Sequence, residues 1–320
     1  MYPPYKLTNK SIKLISDISS LTGKYEGLLL PKPAIKLRKQ NKIKTLYGTL
    51  SIEGNTLSIE QITAIIEGKK ILGPKKDILE VKNAITVYED LSKYDFKSVK
   101  SLCHAHKLLM NNLVEHPGIF RSKNVGILKG SKVGHIAPQP TMLPKLIKNL
   151  FDYLNKKDEH PFVKSSVFHY EFEFIHPFSD GNGRVGRLWQ SVILYNYNPI
   201  FEYIPIESVI KENQSDYYKA LEKSDREGES SHFIEFMLEM IYIALKDFLD
   251  HLKTGTITTE TRVEKAKEYF KNKTFTRKDY INFFKNISTA TASRDLKYGT
   301  ENKLIVKSGD KRTAVYRFKN

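Results

Sequence analysis

Features of exported and membrane-bound proteins are scarce in this sequence. It contains a single cysteine, Cys103, in 320 residues, which excludes an internal disulfide and any zinc site built from several cysteines. No apolar run reaches the roughly 20 residues that a helix needs to span a bilayer. The first residues also lack the charged start and apolar core of a secretory signal. These absences predict a cytoplasmic protein without a membrane segment.

Acidic residues are scarce near the C-terminus. The whole chain has a formal net charge of +16, and residues 251–320 contain 17 lysines and arginines against 7 aspartates and glutamates. That stretch therefore carries +10 of the excess charge. Such a concentration of positive charge predicts a separate module with a polyanionic partner.

The length and the residue patterns predict three domains, because a chain of 320 residues exceeds what one hydrophobic core usually supports. Residues 1–95 are predicted to form a helical region. Residues 96–250 are predicted to be almost entirely helical, except for a short hairpin or extended loop within 127–140. Residues 251–320 follow a Thr- and Gly-rich linker and form the third domain.

Capping residues predict where several helices begin and end. A helix in the first region is predicted to end at Gly54, a residue that tolerates the left-handed conformation of a C-cap. Ser58 and Gln61 form a capping box that begins the next helix. In the third region, Ser288 is predicted to begin a helix and Gly299 to end it.

The stretch from His176 to Arg187 reads His-Pro-Phe-Ser-Asp-Gly-Asn-Gly-Arg-Val-Gly-Arg. The patterns around it predict one helix that ends at Pro177 and a second that starts near Gly183. The intervening loop, which begins at Asp180, therefore leads into a helix N-terminus. That geometry binds anions, because unpaired backbone N–H groups and the positive end of the helix dipole favour phosphate.

The side chains of this stretch fit a nucleotide. Arg184 and Arg187 lie one helical turn apart and can reach the same polyphosphate. Asp180 offers an oxygen ligand for Mg²⁺ beside phosphates, and the ordinary pKa of a histidine suits His176 to proton abstraction near neutral pH. Taken singly, such residues more often form a turn, a core histidine and a surface pair. In combination they predict a phosphate site with a base.

The whole stretch resembles the signature of the Fic family, His-Pro-Phe-x-Asp/Glu-Gly-Asn-Gly-Arg-x-x-Arg, and matches it at every fixed position. The run from Phe168 to Ile175, the N-terminal region and the tail are also similar to parts of that family. The resemblance implies a mainly α fold: a Fic-type helical core with a short β-hairpin flap, plus a small C-terminal winged helix-turn-helix. It implies transfer of AMP from ATP to a Ser, Thr or Tyr hydroxyl of a target protein or of the chain itself.

The resemblance also implies roles for individual residues. His176 would take the proton of the hydroxyl, and Asp180 would hold Mg²⁺. The flap would align the target by strand addition, and it comprises Val133, Gly134, His135 and Ile136. Tyr217 matches a position that lines the adenine pocket, although packing within the helical region explains it equally well. The implied ATP contacts are Asp180, Gly181, Asn182, Gly183, Arg184, Val185, Gly186, Arg187 and Tyr217.

The segment Thr49-Leu-Ser-Ile-Glu53-Gly54 is similar to the inhibitory motif of the same family. Without that resemblance, Glu53 would be interpreted as a solvated glutamate at a helix C-terminus, where the dipole disfavours an anion. The resemblance implies instead that Glu53 pairs with Arg187. ATP would then bind in a position that is poor for attack.

The tail resembles a winged helix-turn-helix, with three short helices followed by strands 304–307 and 314–318. The predicted partner of the tail is DNA or a docking protein. A homo-oligomer is one of the predicted states of the whole chain, beside a monomer. Two alternatives to AMP transfer stay open: phosphate transfer or AMP removal at the same site, and a DNA-binding regulator that senses ATP. The predicted DNA contacts are Thr291, Ser293, Arg294 and Lys297, with Lys311 and Arg312 on the wing.

Overall fold

The computed structural model describes residues 3–27, 33, 35–129, 132–156, 158–254, 259–284, 287–310 and 314–319. The helices in these segments are α1 (Asn9–Gly27), α2 (Ile35–Ile52), α3 (Ile59–Ile66), α4 (Lys75–Val87), α5 (Val99–Leu109), α6 (Leu143–Leu154), α7 (Pro161–Ile175), α8 (Asn182–Tyr197), α9 (Ile206–Glu212), α10 (Gln214–Glu227), α11 (Ser231–Thr254), α12 (Thr259–Phe270), α13 (Arg277–Phe284) and α14 (Thr289–Glu301). The strands are β1 (Gly126–Lys129), β2 (Lys132–Ile136), β3 (Phe275–Thr276), β4 (Ile305–Ser308) and β5 (Val315–Phe318). None of these helices combines the length and the apolar character needed to cross a bilayer.

The chain divides into two compact units, residues 1–249 and residues 250–320. The core of the first unit surrounds α7 and α8, which are buried on nearly every side; Phe168, Val185 and Trp189 have no exposed surface. Apolar residues of α2, α4, α5 and α6 belong to the same core. The mainly α fold predicted from the sequence is therefore confirmed, and the helices of residues 1–95 pack on those that follow.

Helix ends in the first unit follow the predicted capping signals. α2 ends at Ile52, and Gly54 has a φ of +87°, in the left-handed region. Ser58 caps α3, and both hydrogen bonds of its capping box with Gln61 are present. These contacts fix the direction in which the chain leaves α2, so they also fix the position of Glu53.

The predicted hairpin is present as β1 and β2, which pair in antiparallel register with a bulge between Ile127 and Leu128. The four residues predicted to form the flap lie in β2. Residues 130 and 131 lie outside the described residues, as do the side chains of 127–136. The backbone alone therefore defines this segment.

The second unit consists of α12, α13 and α14 and a sheet of order β3-β5-β4. Its core is apolar and includes Tyr280, Leu296 and Phe318. The helices and the β4-β5 pair follow the predicted order, whereas β3 was not predicted, because two residues are too short to show an alternating pattern. Most of the predicted linker, residues 255–258, and the wing residues Lys311 and Arg312 lie outside the described part of the chain.

The sequence predicted that α14 ends at Gly299, but the helix continues to Glu301. A Cβ at Gly299 would lie 2.5 Å from Cδ1 of Ile305, so the glycine serves the close approach of β4 to the helix. The sequence pattern is the same for a helix-ending glycine and for one that packs against a strand, which explains the error.

Candidate active site

The turn between α7 and α8 begins at His176, as predicted. His176 has a φ of +48°, a left-handed conformation that costs a side-chain-bearing residue roughly 1–2 kcal/mol. It also precedes Pro177, which disfavours helical backbone in the residue before it. The strained turn stops α7 and leaves the His176 side chain half-buried.

Asn182 closes this turn with its side chain. Its Oδ1 accepts a hydrogen bond from the N–H of Phe178, and its Nδ2 donates to the carbonyl of Phe178, both at 2.9 Å. The residue is 1% exposed. Its amide group is therefore occupied within the protein, which leaves the backbone N–H of Asn182 to contact a ligand.

His106 holds the loop from behind and was missed in the sequence. Its ring stacks on Phe178 at 3.6 Å between centroids. Nδ1 accepts a hydrogen bond from the N–H of Gly118 at 2.7 Å, so the proton is on Nε2, which donates to the carbonyl of Asp180 at 3.0 Å. Burial lowers the pKa of His106 to about 4, so the ring is neutral at physiological pH. A histidine in an amphipathic helix carries no sequence signal of such a role.

The N-terminus of α8 presents its first backbone N–H groups, which have no partner inside the helix. Gly183 lies in this first turn. A Cβ at Gly183 would lie 2.4 Å from Oε1 of Glu53 and 3.2 Å from Nη1 of Arg187. A carboxylate therefore already occupies the space beside the helix N-terminus, where an anion is favoured.

Arg187 is buried and donates three hydrogen bonds within the site. It is 1% exposed, and its Nη2 donates to Oε1 of Glu53 at 2.7 Å. Its Nε donates to Oγ1 of Thr49 at 3.0 Å, and Nη2 also reaches the Thr49 carbonyl at 3.1 Å. The structure thus brings together two residues that lie 134 positions apart in the sequence.

The charge of Arg187 is compensated by Glu53, just after α2, rather than from α7. Glu173 on α7 is close, but burial raises the pKa of its carboxyl group to about 8, even though Arg187 opposes that shift. Burial thus favours the neutral form of the Glu173 carboxyl group. Because a buried cation needs a charged partner, Glu53 stabilises Arg187 in this conformation.

Arg184 is also held by a carboxylate from the N-terminal region. Its Nη1 donates to Oε1 of Glu80 on α4 at 3.0 Å, and its Nη2 lies 3.3 Å from Oδ1 of Asp180. The other oxygen of Glu80 accepts from Nδ2 of Asn55 at 2.8 Å. Glu80 was missed in the sequence, because its partner is 104 residues away.

We expect Glu80→Ala to lower the free energy of unfolding by about 3 kcal/mol, because it leaves a buried guanidinium without its main partner. Urea unfolding followed by circular dichroism measures the change. Glu222→Ala is the matched control, since Glu222 pairs with Arg226 at an exposed site. Equal effects of the two substitutions would contradict a stabilising role for the buried pair.

Asp180 is the predicted metal ligand, and its side chain is 52% exposed. Its Oδ1 accepts a hydrogen bond from the N–H of Gly181 at 2.6 Å. Within the described residues, no cluster of three or more His, Cys, Asp or Glu side chains could hold a metal ion alone. One accessible carboxylate beside an anion site fits Mg²⁺ that is bound mainly through phosphate oxygens.

Besides Asn182, three further residues predicted to contact ATP pack inside the protein. Val185 is fully buried. A Cβ at Gly186 would lie 3.1 Å from Oε1 of Glu173, so this glycine permits close packing of α7 against α8. Tyr217 is 2% exposed, with its hydroxyl 3.1 Å from Nε2 of His169. The burial of Tyr217 favours the packing interpretation over contact with adenine.

The residues predicted to contact DNA belong to the second unit. Arg294 and Lys297 are exposed on α14. Thr291 and Ser293 are half-buried, and the hydroxyl of Ser293 donates to the carbonyl of Thr289 at 2.9 Å. The two cations are therefore the more accessible members of the predicted set.

A family model and a solved structure both match this chain, and both belong to the same family. Residues 96–194 match the Fic/DOC family. The chain is 36% identical in sequence to a Fic family protein from Desulfovibrio desulfuricans G20, whose crystal structure has been solved. The two structures have a TM-score of 0.75, and the match covers 100% of this chain and 98% of that chain.

Two curated relatives are enzymes by name. The protein adenylyltransferase Fic of Aedes aegypti is 28% identical over 217 residues, which are 64% of this chain and 41% of the relative. The protein adenylyltransferase fic-1 of Caenorhabditis elegans is 24% identical over 261 residues, which are 76% of this chain and 48% of the relative. The chain thus spans less than half the length of these relatives.

Proposed function

The chain belongs to the Fic family, and from that membership we propose that it transfers AMP from ATP to a hydroxyl group of a protein. The names of its curated relatives support this reaction. The acceptor is a Ser, Thr or Tyr of a target protein or of the chain itself. A cytoplasmic location stays a prediction.

The proposed reaction needs one base. The hydroxyl oxygen attacks the α-phosphorus of ATP, the bond from that phosphorus to the bridging oxygen breaks, and pyrophosphate leaves. His176 takes the hydroxyl proton as the new bond forms. Its position at the end of α7, next to the anion-binding start of α8, supports this role.

The proposed phosphate contacts come from α8. The backbone N–H groups of Asn182 and Gly183 would hold the α-phosphate, and Arg184 and Arg187 would hold the β- and γ-phosphates. When bound, Mg²⁺ would neutralise phosphate charge, with Asp180 as its protein ligand. The hairpin of β1 and β2 would present the target backbone by strand addition.

A single observation carries the proposal: the carboxylate of Glu53 occupies the anion-binding start of α8 and holds Arg187. The same cation is needed to orient the leaving phosphates. Glu53 would thus act as an internal inhibitor, because ATP bound without Arg187 is poorly aligned for attack. The wild-type chain is then a slow enzyme.

Labelled ATP tests the proposal directly. The Glu53→Gly variant is incubated with Mg²⁺, a cell lysate and ATP labelled on either the α- or the γ-phosphate. AMP transfer labels protein only from the α-phosphate. Label from the γ-phosphate in excess of that in the lysate alone would indicate phosphate transfer instead, and loss of AMP from previously labelled protein would indicate AMP removal.

We also propose that the second unit binds DNA through α14. Its support is the net charge of +10 on residues 251–320 and the exposure of Arg294 and Lys297 on one helix. Lys297 also pairs with Glu301 at 3.7 Å, an exposed contact that phosphate would readily replace. A docking protein is the alternative partner for this unit.

Salt-dependent titration of a short DNA duplex with the full chain tests this second proposal. We expect affinity to fall steeply with salt, and Arg294→Ala and Lys297→Ala each to reduce the slope of log K against log salt by about one. Lys219→Ala, at an exposed position of α10, is the control. No binding at low salt would leave a protein as the partner.

A further inference from the structure

Arg121 lies outside the family signature, yet it donates three hydrogen bonds to the backbone at the end of α7 and in the turn that follows. It is 6% exposed. Its Nε donates to the carbonyl of His176 at 2.7 Å, and its Nη2 lies 3.3 Å from the carbonyl of Ile175. The backbone N–H of Arg121 donates to the carbonyl of Pro177 at 2.9 Å.

The same guanidinium reaches both ends of the hairpin. Nη1 donates to the carbonyl of Lys123 at 3.0 Å, just before β1, and Nη2 donates to the carbonyl of Pro138 at 2.6 Å, just after β2. Four of the five guanidinium donors are therefore aimed at backbone carbonyls. All of these acceptors are neutral dipoles.

These hydrogen bonds pair backbone carbonyls at the end of α7. The last carbonyls of a helix have no intrahelical partner, and they form the negative end of its dipole. Arg121 satisfies the carbonyls of Ile175 and His176 with a cation. It thereby stabilises the left-handed backbone of His176, which is strained by itself.

We propose that Arg121 is a positioning residue that sets the catalytic base and the target-holding hairpin in one fixed geometry. The inference rests on the proposed AMP transfer. One rigid fork joins the turn that carries His176 to both ends of the β1–β2 hairpin. The distance between base and bound hydroxyl is then set by hydrogen bonds that contact neither ATP nor target.

Lysine cannot replace this fork, because it carries one point charge without the planar array of donors. In the Glu53→Gly background we expect Arg121→Lys and Arg121→Ala to lower the turnover of AMP transfer about 100-fold, the effect of a misplacement near 1 Å. ATP affinity should stay within twofold, because the proposed phosphate contacts of α8 do not involve Arg121. Arg226→Ala, at an exposed arginine, is the matched control.

Chemical rescue separates positioning from a loss of folding. Guanidinium chloride, added to Glu53→Gly/Arg121→Ala at concentrations far below those that denature proteins, should raise the rate of AMP transfer by that variant at least tenfold. Urea, a neutral molecule of the same size, should not. A variant that is simply unfolded becomes less active with either additive, since both are denaturants.

The results of these assays distinguish failure of the proposed AMP transfer from failure of the proposed role of Arg121. If the Glu53→Gly parent transfers no AMP, the proposed function fails and Arg121 is not in question. If the parent is active and the Arg121 variants match it, the positioning role is wrong. A loss of transfer that guanidinium does not restore, together with loss of cooperative unfolding, likewise overturns the role and leaves Arg121 as a purely structural residue.

Discussion

Replacing Glu53 by glycine is expected to raise AMP transfer by about 10- to 100-fold. The substitution removes the carboxylate that holds Arg187 at 2.7 Å and occupies the space beside Gly183. Arg187 is then free to bind the terminal phosphates of ATP, so the leaving group is aligned for attack. Incorporation of α-labelled ATP into protein measures the change.

Glu67→Gly is the matched control for this prediction. Glu67 also lies at the C-terminal end of a helix, but it pairs with Lys39 and Lys69 at the surface. We expect no activation from it. Equal incorporation by wild type and Glu53→Gly would remove the internal inhibitor from the mechanism, whereas activation by both variants would trace the effect to a general loosening of the N-terminal helices.

Replacing His176 by alanine in the Glu53→Gly background should lower AMP transfer by about 10²- to 10⁴-fold, the usual contribution of a general base. ATP binding should be retained, because the proposed phosphate contacts lie on α8. Transfer assays and nucleotide titrations of the same preparation distinguish the two effects. Incorporation at the parent rate would exclude His176 as the base.

The backbone of His176 requires a second variant. Alanine is strained in the left-handed region, whereas asparagine adopts it more readily. His176→Asn therefore removes the base and keeps the turn. We expect both variants to be equally inactive; activity in the asparagine variant alone would show that the conformation of the turn, and not proton transfer, is what His176 provides.

The two site arginines are held by carboxylates from the first 95 residues. Glu53, just after α2, binds Arg187, and Glu80 on α4 binds Arg184. Asn55, two residues after Glu53, donates to Glu80 and so links the two pairs. Release of the end of α2 would therefore change the surroundings of both arginines, as the proposed inhibitory role of Glu53 requires.

Local sequence determined much of the site. The order of His176, the glycine-containing loop and the two arginines follows from one continuous stretch, and helix ends at Gly54 and Ser58 follow from capping chemistry that acts over a few residues. The hairpin of β1 and β2 was likewise predicted from turn residues. Each of these features depends on interactions between near neighbours in the chain, which a sequence pattern records directly.

Tertiary structure alone decided what those residues contact. The side chain of Asn182 turns inward to Phe178, Tyr217 is buried against His169, and Gly299 packs against a strand instead of ending its helix. Local patterns are the same for either outcome at these positions.

The supports of the site come from distant parts of the chain. His106, Glu80 and Arg121 contact the stretch from His176 to Arg187 across 55 to 104 positions. The positions of these partners depend on how α4, α5 and the segment before β1 pack against α7, α8 and the turn between them. The sequence alone thus determined which reactive groups lie in the candidate site, whereas packing between distant segments decided how His176 and the two arginines are held.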